Sequence, residues 1–198
     1  MKTRYKRRVC KLQVRLPPYG GSYFIDRIAK LETALRRKPR VLQLDMIGNG
    51  EIPADMALLM RAVLLARSPK TKLVTNARSS LQNGSVLVWL LGERRLIRDD
   101  ARVFFRRSEL ADHDEVEVYA GLGDAEPKYK DSYSEIDPEE ADHARVLQLI
   151  NEFLPVNEFV GRIVGVPVLR EFGLVKNEQV DSLLATAFSK SRPAPSFR

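Results

Sequence analysis

The chain has few of the residues on which metal, redox and disulfide chemistry depend. It carries one cysteine, Cys10, and two histidines, His113 and His143. A single thiol excludes an internal disulfide and a cysteine-ligated metal cluster, and it fits a reducing compartment. No metal is expected. Long apolar runs are missing too: no segment approaches the roughly twenty residues that a membrane helix needs. The first residues, MKTRYKRRVCKLQVRL, are basic but contain no apolar centre of the kind a secretory signal requires. The expectation is a cytoplasmic protein without membrane contact.

Core-forming residues are plentiful. Of 198 residues 44% are hydrophobic, which excludes global disorder and suggests one domain. The net charge of +7 is unevenly placed. Lys2, Arg4, Lys6, Arg7, Arg8, Lys11 and Arg15 crowd one end, and acidic residues gather between Asp112 and Asp142. A basic arm can make weak contact with nucleic acid or with an acidic partner, including a neighbouring copy. The ordered aromatic interleaving of an RNA-binding sheet does not accompany it.

Periodicity organises the rest. CKLQVRLP alternates as a strand, and PPYGG breaks it. From Ser22, read as an N-cap, a helix places Phe24, Ile25, Ile28, Leu31 and Leu35 on one face. RVLQLDMI is an apolar strand followed by the turn GNGEIP. ADMALLMRAVLLAR is apolar nearly all round, which predicts a helix buried on most sides. TKLVTNA is a strand, GSVLVWLLG a second buried helix with Gly92 as C-cap, and RRLI and RVFFR are short strands. Trp89, Met46, Met56 and Met60 are read as core filling. Asp137 caps a helix with Pro138 at its first position. Beyond Pro155 the chain reads as mostly helical, and no internal repeat is visible. Apolar strands alternating with helices imply an α/β fold with parallel pairing and helices on both faces. The expected organisation is a basic arm at 1–11 and one α/β domain at 12–188. Within it lie an irregular insertion at 109–136 and a helical region at 137–188; a tail follows at 189–198.

The order strand, Gly turn, buried helix, strand, small-residue turn, buried helix, Gly, RR, strand, ARV strand resembles the ClpP/crotonase superfold. It is most similar to the proteolytic subunit of the Clp protease, over roughly Leu12 to Leu184. The resemblance implies a spiral of mostly parallel strands, a helical C-terminal region and a homo-oligomer. It also locates the parts of a site. IGNGEI, with Gly48 and Gly50, matches the turn SPGG that helps to form the family's oxyanion hole. SLQNGSVLVWLLG matches the segment that presents the nucleophilic serine, and ARVFFR the strand that ends in histidine. VLREFGLVKNEQVDSLL is similar to the family's ending.

The departures are chemical. Counting back from Gly92 puts Asn83 at the serine position, and aligning on Gly84 puts Gln82 there. Neither amide is an acyl-transfer nucleophile. Arg106 takes the place of the histidine, and an arginine is no general base near neutral pH. Glu158 is the one carboxylate in the segment expected to supply the acid. A hydroxyl needs an adjacent base and an orienting group to attack a carbonyl, and none of the three is supplied. The fallback nucleophiles are Ser85 and Ser80, with Ser79 nearby; all are read first as capping and turn residues. His113 and His143 are read as surface residues, and Lys70 and Lys72 as solvated. Asp45, read as a strand-end residue, and Glu51 are a weak candidate carboxylate pair. The turns at Gly48, Gly50 and Gly84 retain the outline of an oxyanion hole, but no adenine or pantetheine signature accompanies them and no cofactor is expected. The reading is a catalytically degenerate ClpP-like binding or assembly subunit. Its alternatives are a serine hydrolase or peptidase with a displaced nucleophile, and a STAS-like regulatory binding domain. The last is suggested by the strand–turn–helix VLQLDMIGNGEIPADM, which lacks a phosphorylatable serine. Self-association is expected through an apolar stripe of Val146, Leu149, Ile150, Phe153 and Leu154, extended by Phe159, Val160 and Ile163.

Overall fold

In chain order the elements are β1 (Val9–Arg15), α1 (Gly21–Arg36), β2 (Val41–Ile47), β3 (Gly50–Glu51), α2 (Ala54–Leu65), β4 (Lys72–Ala77), β5 (Leu81–Gln82), α3 (Gly84–Leu90), β6 (Arg94–Ile97) and β7 (Arg102–Phe104). They continue with α4 (Pro138–Asn151), α5 (Val156–Phe159), β8 (Ile163–Gly165) and α6 (Val166–Glu171). They come from a computed structural model that describes residues 9–16, 21–108 and 137–175. The arm residues Lys2, Arg4, Lys6, Arg7 and Arg8, the insertion at 109–136 with His113, and the end of the helical region beyond 175 lie outside the described residues.

The apolar strands pair as their composition requires. The main sheet has the order β1-β2-β4-β6 and is parallel throughout. A second, smaller sheet has the order β3-β5-β7-β8, parallel except for the antiparallel β7–β8 pair. Each of β2, β4 and β6 leads after a short turn into a strand of the small sheet, then a helix: β2–β3–α2, β4–β5–α3, and β6–β7 with α4 after the insertion. The sequence shows no internal repeat, but the backbone path repeats itself. Side-chain identity does not record that repeat. α2, α3 and α4 pack on one another, while α1 packs on β1 and α2.

Burial separates good expectations from poor ones. In α1, Phe24, Ile28 and Leu31 are buried as expected, but Ile25 is 57% exposed. One residue beyond Phe24, it falls off the stripe that turns inward every third or fourth position. α2 is not buried on most sides. Ala54, Ala57, Met60 and Leu64 face the core, whereas Leu59 and Leu65 are about half exposed. α3 fits its reading: all seven residues are buried. A helix that short has no stability of its own in water. Burial holds it, each large apolar side chain contributing about 1.5–3 kcal/mol. Trp89 is completely buried and donates its indole N–H to the Leu96 carbonyl at 3.0 Å. Met46 and Met60 fill the core as expected, with Met56 partly buried against it. Gly92 follows the C-cap residue Leu91 and has another role: a Cβ there would lie 2.2 Å from the Thr75 hydroxyl oxygen.

The C-terminal region departs most. Residues 163–165, expected to be helical, form β8 on the edge of the small sheet. The stripe assigned to self-association is largely consumed internally. Val146, Ile150 and Leu154 are buried, and Leu149, Phe153, Phe159 and Val160 pack against the core. Ile163 alone stands clear, at 72% exposed, because strand alternation turns it away while Val164 enters the core. Among the described residues no helix is long and apolar enough to cross a membrane.

Candidate functional site

β5 turns into α3 at a corner, and the residue at that corner is Asn83. It is the N-cap of α3, with φ 39° and ψ −109°. L residues rarely adopt this conformation, at a cost of about 1–3 kcal/mol, and it persists only where the surroundings over-determine it. Here they do. The Asn83 N–H donates to the Phe104 carbonyl at 3.2 Å, and its carbonyl accepts from Val86 and Leu87. The side-chain amide is held at both ends: Nδ2 donates to Glu51 Oε2 at 2.8 Å, and Oδ1 accepts the Arg106 backbone N–H at 2.8 Å. Asn83 is 1% exposed.

Arg106 carries the network onward. Its guanidinium donates to Glu140 Oε2 at 3.1 Å, and the Ser108 hydroxyl donates to Glu140 Oε1 at 2.7 Å. Its carbonyl oxygen lies 3.2 Å from His143 Nε2. A carbonyl can only accept, so Nε2 is the donor of this bond. Nδ1 is buried and has no partner among the described residues. His143 is 1% exposed, which corrects its reading as a surface residue. The physical reason is its place on α4. Glu140, His143, Leu147 and Ile150 recur every three or four residues on the helix's buried side. That spacing was the available signal for Glu140 and His143, and the charged neighbours obscured it. Asp137 caps α4 as expected, accepting the Glu139 N–H at 3.0 Å.

The other candidates are engaged elsewhere. The Ser85 hydroxyl is fully buried, accepts the Gln82 N–H at 2.8 Å and lies 2.6 Å from the Gln82 carbonyl and 3.2 Å from that of Gly50. It ties the start of α3 to β3 and β5. Ser80 Oγ accepts the Arg102 N–H, and Ser79 Oγ donates to the Gly48 carbonyl. Lys70, Lys72 and Glu158 are exposed. Asp45 is 3% exposed and lies within β2 rather than at its end; it accepts from Gln43, Asn76 and Arg78. These bonds link the main strands, while Glu51 serves Asn83, so the two carboxylates have different partners. Gly48, at φ 100°, makes the turn between β2 and β3, and its Cβ would meet the Leu16 backbone oxygen at 3.1 Å. Gly50 opens β3, and Gly84 is the first residue of α3.

No family model matches the sequence, and no curated protein does. Solved structures do. The ClpP protease catalytic domain from Plasmodium falciparum superposes with a TM-score of 0.58 at 10% identity, over 91% of this chain and 93% of that one. ClpP1 from Listeria monocytogenes gives 0.54 at 13%, over 86% and 89%. An enoyl-CoA hydratase/isomerase family protein from Silicibacter pomeroyi gives 0.52 at 13%, over 91% and 76%. At such identities the likeness speaks for architecture alone: the chain has the ClpP/crotonase superfold, a mixed α/β fold of mostly parallel strands.

Proposed function

We propose that this chain is a catalytically degenerate member of the ClpP/crotonase superfold that acts as a binding or assembly subunit. The observation that carries the reading is Asn83 at the strained corner, with both ends of its amide committed to Glu51 and the Arg106 backbone. In the ClpP-like arrangement that corner presents a nucleophile, and Arg106 stands where a base would take its proton. An amide bound on both sides and a guanidinium bound to Glu140 perform neither step. The STAS reading is dropped in favour of the superfold. The displaced-nucleophile reading draws no support from Ser85, whose hydroxyl faces backbone carbonyls and bonds to no basic side chain among the described residues.

A fluorophosphonate probe tests this. The full chain is expected to remain unlabelled under conditions in which an active serine hydrolase labels stoichiometrically. Labelling of Ser80 or Ser85 that disappears on substitution by alanine would overturn the reading.

Assembly is the second half of the proposal. The C-terminal stripe is largely used within the subunit, so the large apolar side chains left exposed among the described residues are Val9, Ile25, Leu59, Leu65, Ile163 and Phe172. Closed symmetric assembly is the usual way to cover such surface. Light scattering coupled to size-exclusion chromatography is expected to give a multiple of the monomer mass at micromolar concentration. A monomer mass at every dilution would remove assembly from the proposal and leave binding.

A further inference from the structure

The residue after Asn83 is Gly84, and the backbone between them has an unusual consequence. For the nitrogen of one residue to reach the side-chain carbonyl carbon of the asparagine before it, that nitrogen and Cβ must lie on the same side of the Cα–C bond. Helical and extended backbones hold them apart. At the ψ of −109° found for Asn83, they nearly eclipse each other. The flanking groups suit the reaction that this geometry prepares. The Arg106 N–H, 2.8 Å from Oδ1, fixes and polarises the side-chain carbonyl, and the Glu51 carboxylate lies 2.8 Å from Nδ2. Gly84 brings no side chain to shield its nitrogen.

We propose that Asn83–Gly84 is a self-modification site at which the backbone cyclises to a succinimide. The new bond joins the Gly84 nitrogen to Asn83 Cγ, and the bond broken is Cγ–Nδ2. The Gly84 amide proton leaves with Nδ2, which departs as ammonia. Glu51 relays that proton, and the Arg106 N–H holds the oxyanion that forms on Oδ1. No group is oxidised or reduced. Water then opens the ring to aspartate or isoaspartate. Either product sets a new carboxylate near Glu51 and removes the amide donor that joins β3 to the start of α3. Like charges at that separation repel, so the modified chain is looser where β5 turns into α3.

The test compares folded and unfolded protein. The full chain is held at neutral pH, either native or in guanidinium, and peptide mass mapping follows loss of ammonia and conversion of amide to acid at Asn83. Asn49–Gly50, the exposed second Asn-Gly pair, is followed in the same samples. A rigid, buried asparagine ordinarily reacts more slowly when folded. Here preorganisation is expected to make Asn83 react on the order of tenfold faster in the native chain than in the unfolded one. Glu51→Gln, which keeps an oxygen acceptor for Nδ2, is expected to remove that acceleration without changing the unfolded rate. A native rate equal to or below the unfolded rate overturns the proposal, as does an acceleration that Glu51→Gln leaves intact. Should Glu51→Gln fail to fold, the comparison on the parent chain decides alone.

Discussion

Gly84→Ala is expected to destabilise the fold by about 3 kcal/mol or more, at the upper end of overpacking costs, and is the most damaging single methyl group we foresee. A Cβ at Gly84 would lie 2.3 Å from the Ile52 backbone oxygen and 2.8 Å from Ala57 Cβ. Neither neighbour can swing aside. Ile52 is fully buried between β3 and α2, and Ala57 is on the buried side of α2. Relief would require α3 to move from α2, and all seven residues of α3 depend on that packing. Gly173→Ala makes a suitable contrast. Its φ is 67° and nothing lies within 4 Å of the added methyl, so only the backbone cost of about 1 kcal/mol applies. Denaturant midpoints of the two variants at unchanged slope would measure the difference. Equal midpoints would mean that the α2–α3 contact is not close-packed at this corner.

The main sheet and the buried helices were legible because a single physical signal fixes each. β2 is buried at Leu42 to Met46, on one face by apolar side chains and on the other by Gln43 and Asp45, and its partners β1 and β4 lie in parallel on either side. α3 was legible because GSVLVWL has no side that water would favour. α2 was misjudged from the same signal. Composition says that a helix is apolar, but not which of its sides finds a neighbour, and Leu59 and Leu65 remained outside. β8 was missed because three residues show no alternation by themselves; pairing with β7 makes them a strand. At the candidate site, Asn83 and Arg106 were found by counting along the chain. Glu140 and His143 were not. Their relation to Arg106 spans 34 and 37 residues, across the insertion. Their spacing with Leu147 and Ile150 was the one local signal, and the charged neighbours in DPEEADHARV hid it. That His143 Nδ1 is buried without a partner among the described residues is a property of the packed state alone.

Asn83→Ala is expected to cost about 2–4 kcal/mol, although it removes only a small polar group. Losing Oδ1 leaves the Arg106 backbone N–H without its acceptor, at about 1–3 kcal/mol where water cannot replace it. The bond to Glu51 adds less, because Glu51 is partly exposed and water can take over from Nδ2. Alanine also tolerates a φ of 39° less well than asparagine, whose short amide favours left-handed conformations. A double-mutant cycle with Glu51→Ala separates these contributions. The coupling is expected to be about 0.5–1 kcal/mol, with the greater part of the loss independent of Glu51. This pattern would identify the corner residue as a clamp between α3 and the chain leaving β7. That is a structural task for the residue that, in the proposed reading, stands at the nucleophile position. A loss below about 0.5 kcal/mol, the range of an ordinary surface change, would mean that the strained backbone does not depend on the amide. The clamp would then be no explanation for asparagine at this corner.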